Sequence, residues 1–145
     1  MVRVKFTVPG VPVAQGRPRV MRTKNGLSHT FMPDKTTDYQ KLVRFEYIRQ
    51  CGGQCFPDKS ALIMQINFFM PIPKSALKRD LPKLQSETVR HIKRPDLSNL
   101  IKSIEDAVNG LAYPDDSQIS GFDNSGKYYS ANPRVEVEIS DECLG

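Results

Sequence analysis

Apolar and polar residues alternate along VRVKFTV at 2–8, the rhythm of a strand with one buried face. PGVPVAQGRPR follows, and its prolines and glycines break regular structure. Residues 19–32 predict a hairpin about KNG, because Asn25-Gly26 suits the positive φ of a tight turn. DKTTDYQKLVRFEYIRQ predicts a helix from about Lys35 to Gln50. Leu42, Phe45 and Ile48 or Arg49 mark its faces, and Asp34 or Thr36 is the expected cap. ALIMQINFFM at 61–70 puts Leu62, Met64, Ile66, Phe68 and Met70 on one side. Ile63 and Phe69 flank Gln65 and Asn67 on the other, which predicts a central, mostly buried strand.

Residues 71–95 are rich in proline and charge and close on the basic run RHIKR, predicting an excursion with one short helix from Lys74 to Leu81. From Leu97 the period becomes helical. Leu97, Leu100, Ile101, Ile104, Ala107, Val108 and Leu111 follow i, i+3, i+4, i+7 spacing, and Asn109-Gly110 is a stop signal. PDDSQIS, a strand pair about DNSG and the alternating strand RVEVEI at 134–139 complete the chain. The sum is a single α+β domain over 1–145, a mixed β-sheet packed against two main helices.

Composition narrows the class. A chain of 145 residues builds one domain with a real core and has little room for two. No apolar run approaches the roughly 18 to 20 residues that span a bilayer. The first residues lack the apolar block of a signal peptide, so the sequence predicts a cytoplasmic protein. Cys51 and Cys55 in CGGQC, with Cys143 near the end, give an odd count without framework spacing. A zinc site needs about four ligands, and His29 and His91 show no matching spacing, so the thiols read as reduced.

Charge is unevenly spread. Residues 1–50 hold ten Lys/Arg against three Asp/Glu, residues 51–94 eight against three, and residues 95–145 three against ten. A basic front and middle attracts a polyanion, and an acidic final third offers carboxylates for cations. Mutual neutralisation within the fold is the ordinary alternative.

The carboxylates fall at informative places. Asp96 precedes the amphipathic helix, and Asp115-Asp116 follows it after Pro114. Lys102, Asp106 and Asn99 lie opposite the apolar stripe, with Glu105 and Ser98 to one side. Taken singly, each has a plain structural reading. Asp96 suits an N-cap, Lys102 and Asp106 an i, i+4 surface pair, and Asp115-Asp116 a turn. Taken together, a helix that returns the chain brings two acidic clusters toward one place. Paired carboxylates repel, and a hard divalent cation relieves that repulsion while keeping waters for a phosphate substrate. A lysine beside them suits a phosphoryl oxygen or a developing negative charge.

HIKRPDLSNLIKSIEDAVNGLAYPDDSQI at 91–119 resembles the RusA family of Holliday junction resolvases, endonucleases of bacteria and their prophages. PVAQGRPR at 12–19, PDKTTDYQ at 33–40 and PIPKS at 71–75 extend the likeness over most of the chain, and Lys93–Gln118 carries its specificity. The resemblance implies a RusA-like homodimer that binds four-way DNA junctions. It implies paired symmetric nicks in DNA recombination and repair, with Mg²⁺, or Mn²⁺, as the cofactor. The family's catalytic positions fall on Asp96, Lys102 and Asp116, with Asn99 and Asp106 as supporting residues. Metal would lie on Asp96 and Asp116, with Asp115 and Ser98 (the latter through water) as further candidates. Arg17, Arg19, Arg22, Lys24, Lys74, Lys78, Arg79, Lys93 and Arg94 are the expected phosphate contacts, with Lys83 and Arg90 nearby.

Ser98 departs from the family, which keeps an Asp there. Water held by Asp96, Asp116 and Ser98, a substitute acid in Asp106 or Asp115, or loss of cleavage would each accommodate the hydroxyl. The alternative to a nuclease is therefore a branched-DNA-binding protein that cuts weakly or not at all.

Overall fold

A computed structural model describes residues 2–141; Cys143 lies outside them. The elements are β1 (Arg3–Pro9), β2 (Arg19–Arg22), β3 (Ser28–Phe31), α1 (Asp34–Cys51), β4 (Leu62–Pro71), α2 (Leu81–Gln85), α3 (Leu97–Val108), β5 (Ile119–Phe122), β6 (Gly126–Ser130) and β7 (Arg134–Asp141). Short 3₁₀ turns at Lys78–Asp80 and Asp116–Gln118 precede α2 and β5. Among the described residues no helix is long and apolar enough to cross a membrane.

One mixed sheet organises the fold. β7 pairs antiparallel with β1 and with β4, and β5 and β6 both pair parallel with β4. β2 and β3 form a separate two-stranded sheet. The predicted alternation is borne out: Val4, Phe6 and Val8, then Leu62, Met64, Ile66, Phe68 and Met70, then Val135, Val137 and Ile139 all turn inward. Tyr39, Val43 and Tyr47 of α1 and Leu100, Ile104, Ala107 and Val108 of α3 close the same core. Phe6 meets Tyr47 edge to face, with ring centroids 5.3 Å apart.

Local signals gave way to tertiary contacts in four places. Along α1 the buried side chains are Thr36, Tyr39, Val43, Glu46 and Tyr47, whereas Phe45 and Ile48 are exposed. Neither Asp34 nor Thr36 caps the helix; Pro33 occupies the N-cap, and the Thr36 hydroxyl instead accepts the Gly16 N–H at 2.9 Å. The short helix of the excursion lies at Leu81–Gln85, later than Lys74–Leu81, because Leu81-Pro82 suits a helix start. Finally, β5 and β6 do not form a hairpin about DNSG. They follow β4 in tandem, and Ser125 bridges the break by accepting the Ile66 N–H at 3.0 Å.

The excursion is pinned to β7 by a paired ion. Arg134 donates to both Glu87 carboxylate oxygens at 2.6 and 3.2 Å and stacks 4.0 Å over Phe69. Ser130 also donates to Glu87. Hydrogen bonds from Arg134 and then Ser130 hold the Glu87 carboxyl below the usual carboxylate range. A lowered folded pKa contributes stability above the unfolded value, and that stability is lost as pH falls through the folded one. Between about pH 6 and about pH 3 the wild-type Tm should therefore fall more steeply than that of Glu87→Gln. Parallel Tm profiles would contradict this role for the pair.

Candidate active site

α3 carries the candidate chemistry because its apolar stripe is spent on the core. Leu100, Ser103, Ile104, Ala107 and Val108 are buried, which turns Asn99, Lys102 and Asp106 the other way. Asp96 occupies the N-cap position with extended backbone, yet its carboxylate makes no cap hydrogen bond. Among the described residues it has no hydrogen bond or ion pair. Asp96 is therefore at the cap without being used by it. Ser98, the second residue of the helix, is exposed.

Asp96 and Asn99 open onto a cleft of about 800 Å³ whose cationic lining is Arg17, Lys35 and Arg94. The first wall is the Gly-Pro loop: Gln15 donates its backbone N–H to the Asn99 carbonyl at 3.0 Å. Its side chain donates to Asp106 at 2.9 Å and accepts from Gln40 of α1 at 3.0 Å. Gln15 thus ties loop, α1 and α3 together around Asp106. The second wall ends at the cis Arg94–Pro95 peptide. There the Lys127 ammonium donates to the carbonyls of Lys93 and Pro95, both at 2.7 Å. His91 lines the same cleft against Tyr129; burial, then the Lys127 and Lys93 charges, pushes its pKa down.

Asp116 reaches α3 from the other end. Gly110, at φ 77°, turns the chain, and the buried Tyr113 hydroxyl donates to the Glu105 carbonyl at 3.0 Å. Asp115 then caps the following 3₁₀ turn, accepting from the Ser117 N–H at 3.4 Å and the Ser117 hydroxyl at 2.9 Å. Gln118 completes a capping box by accepting the Asp115 N–H at 3.2 Å, and anchors the turn by donating to Pro57 and Ser60 carbonyls. These bonds from Ser117 hold the Asp115 carboxyl below its ordinary range.

The same carboxylates raise one another. A hydrogen bond with Asp115, burial and the Asp115 and Asp106 charges hold the Asp116 carboxyl above the usual range. Burial, then the Asp116 and Asp106 charges, pushes Glu105 up against the relief of Lys102. Lys102 has no hydrogen bond or ion pair among the described residues. Asp106, Glu105 and Asp116 thus share one negative field with a single lysine beside it.

The residues suit a hard cation that takes one or two carboxylates and completes its shell with water and phosphate oxygens. They do not make an all-protein cage: among the described residues no group of three or more His, Cys, Asp or Glu side chains is spaced to hold a metal ion. Of the expected phosphate contacts, Arg17 and Arg94 line the cleft. Arg22 and Lys24 lie on and beyond β2, whose Arg19 side chain lies outside the description. Lys93 is exposed just before the cleft, whereas Lys74, Lys78 and Arg79 lie on the excursion away from it. Gln15, Lys35 and Lys127 join the site through contacts of long sequence separation, and no local signal marks them.

The model of the family Endodeoxyribonuclease RusA matches residues 9–140, and the chain belongs to this family. It is 36% identical over 143 residues to the uncharacterized protein YqaN of Bacillus subtilis (strain 168), covering 95% of this chain and 96% of that one. It is 27% identical over 138 residues to the crossover junction endodeoxyribonuclease rusA of Lactococcus phage r1t, covering 94% and 95% respectively.

The two aspartates at turn starts should differ in stability. Asp115→Ala removes a real cap and should lower the denaturant midpoint measurably. Asp96→Ala removes none and should stay within about 0.5 kcal/mol of wild type in denaturant unfolding. Equal losses would show that Asp96 does serve the helix.

Proposed function

We propose that this chain is a Mg²⁺-dependent, structure-selective endodeoxyribonuclease that resolves four-way DNA junctions by paired symmetric nicks. It would act as a cytoplasmic homodimer in DNA recombination and repair, in a bacterium or its prophage. The observation that carries this reading is the unspent Asp96 carboxylate at the mouth of a basic cleft, in a chain of the RusA family. The phage relative's printed name supports the substrate class.

Arg17, Lys35 and Arg94 neutralise backbone phosphates as DNA enters the cleft. Asp96 and Asp116 would hold the Mg²⁺, which when bound lowers the pKa of an attacking water and offsets charge on the phosphate. Lys102, without a hydrogen bond or ion pair among the described residues, stabilises the charge that develops on the phosphoryl oxygens. Asn99 and Asp106 orient these groups, and Gln15 fixes Asp106 from the loop. Asp115 contributes by holding the turn that presents Asp116. A two-fold dimer matches a symmetric junction, which presents two equivalent strands.

A second reading is favoured by Ser98, which leaves no third carboxylate at the head of α3. On that reading the protein binds branched DNA and cleaves it weakly or not at all.

Purified protein with Mg²⁺ should nick a synthetic four-way junction in paired strands and leave linear duplex intact. Asp116→Asn should lower the rate on the order of 10³-fold while binding holds or tightens, because a negative charge near phosphate is removed. Intact junction at every protein and metal concentration would contradict the nuclease and favour the second reading. Ser98→Asp separates the causes. A rate rise of about tenfold or more would mark the natural site as short of a ligand, and an unchanged rate would mean another group serves there.

A further inference from the structure

The β2–β3 hairpin buries almost nothing of itself. It shares no strand pairing with the main sheet. All four β3 residues are exposed, and Val20, Met21 and Phe31 are 64%, 57% and 41% exposed. An isolated two-stranded ribbon is marginally stable in water, and apolar side chains left in water add nothing to it. The base of the hairpin is nevertheless fixed. A Cβ on Gly16 would meet the Thr36 hydroxyl at 2.6 Å and Pro33 Cγ at 2.9 Å, so only glycine lets the two stems approach. Gly16, Arg17 and Pro33 of those stems line the cleft that holds Asp96 and Asn99. The hairpin rises from the lip of that cleft.

Its two faces differ. The register pairs Met21 with His29 and Arg19 with Phe31, so Met21, His29 and Phe31 share one face. Val20 and Arg22, paired with Thr30 and Ser28, lie on the other, and Lys24 is in the turn. Residues 1–33 contain six Lys/Arg and no Asp or Glu. A second copy of this chain would bring like charges against each other. The chemistry that complements both faces is a polyanion with flat apolar surfaces, and in DNA those surfaces are accessible only where bases are unstacked.

We propose that the Met21–His29–Phe31 face is a base-contacting surface that engages unstacked nucleotides at a DNA branch point, with Arg22 and Lys24 on the flanking phosphates. This rests on the junction-resolving reading and assigns branch recognition to the hairpin rather than to the cleft.

The test is binding without divalent metal to a four-way junction carrying 2-aminopurine at its branch and to linear duplex of the same sequence. Phe31→Ala touches no core residue, and circular dichroism checks that it folds. It should lower junction affinity on the order of tenfold, leave duplex affinity within about twofold and abolish the 2-aminopurine change, whereas Phe31→Tyr should match wild type. The double variant Arg22→Ala with Lys24→Ala should weaken both substrates alike and reduce the salt slope by about two. Wild-type junction binding by Phe31→Ala, or equal loss on both substrates, would overturn the hairpin assignment alone. So would a change of oligomeric state in sedimentation with DNA binding unaltered. A wild-type protein that does not distinguish junction from duplex would overturn the resolvase reading and this inference together.

Discussion

A helix that docks through one stripe must turn the opposite stripe outward, and the candidate site depends on that constraint in α3. Leu100, Ile104 and Val108 are fully buried in the core, each contributing about 1.5–3 kcal/mol of burial. Rolling the helix to hide Lys102 or Asp106 would forfeit that. The direction of the polar residues is therefore set by packing, before any ligand is present. Gln15 then converts a direction into a position, because one side chain bonds Asp106 and Gln40 while its backbone bonds Asn99. Preorganisation of this kind is what phosphoryl chemistry asks of a protein.

The electrostatics divide along the same helix. At its N-terminus the Asp96 carboxylate, without a hydrogen bond or ion pair among the described residues, shares a cleft with Arg17, Lys35 and Arg94. Further along, the Asp106 charge helps raise both Glu105 and Asp116, and Asp116 helps raise Glu105 against the relief of Lys102. Such a cluster is costly alone and becomes favourable when a cation enters, whereas the cationic cleft becomes favourable when phosphates enter. Asp115 accepts from Ser117 in the cap of the turn while it also raises its neighbour Asp116. The pair written side by side in the sequence is thus one structural carboxylate and one available for chemistry.

Much of this was legible from residues alone, and the failures have physical causes. Periodicity located β1, β4, α3 and β7 because each buries a regular face of its own. The same reasoning misread α1, where polar Thr36 and Glu46 are buried and satisfied by Gly16, Arg49 and Gln50, while Phe45 and Ile48 face outward. DNSG has hairpin chemistry, yet β5 and β6 pair with β4, because strand partners are chosen by distant contacts. Residues 91–119 carried both the α3 pattern and the family resemblance. Gln15 and Lys127 were hidden, since their roles exist only once residues far apart in the chain have met.

We propose that protein and DNA complete one cation site together, with Asp96 and Asp116 as the protein's share. Mn²⁺ binding followed by electron paramagnetic resonance, with and without a non-cleavable four-way junction, tests it most directly. Binding to the free protein should be weak, binding in the complex at least about tenfold tighter, and that gain should be lost in Asp96→Asn. Mn²⁺ affinity that is the same with and without DNA, or unchanged in Asp96→Asn, would contradict it.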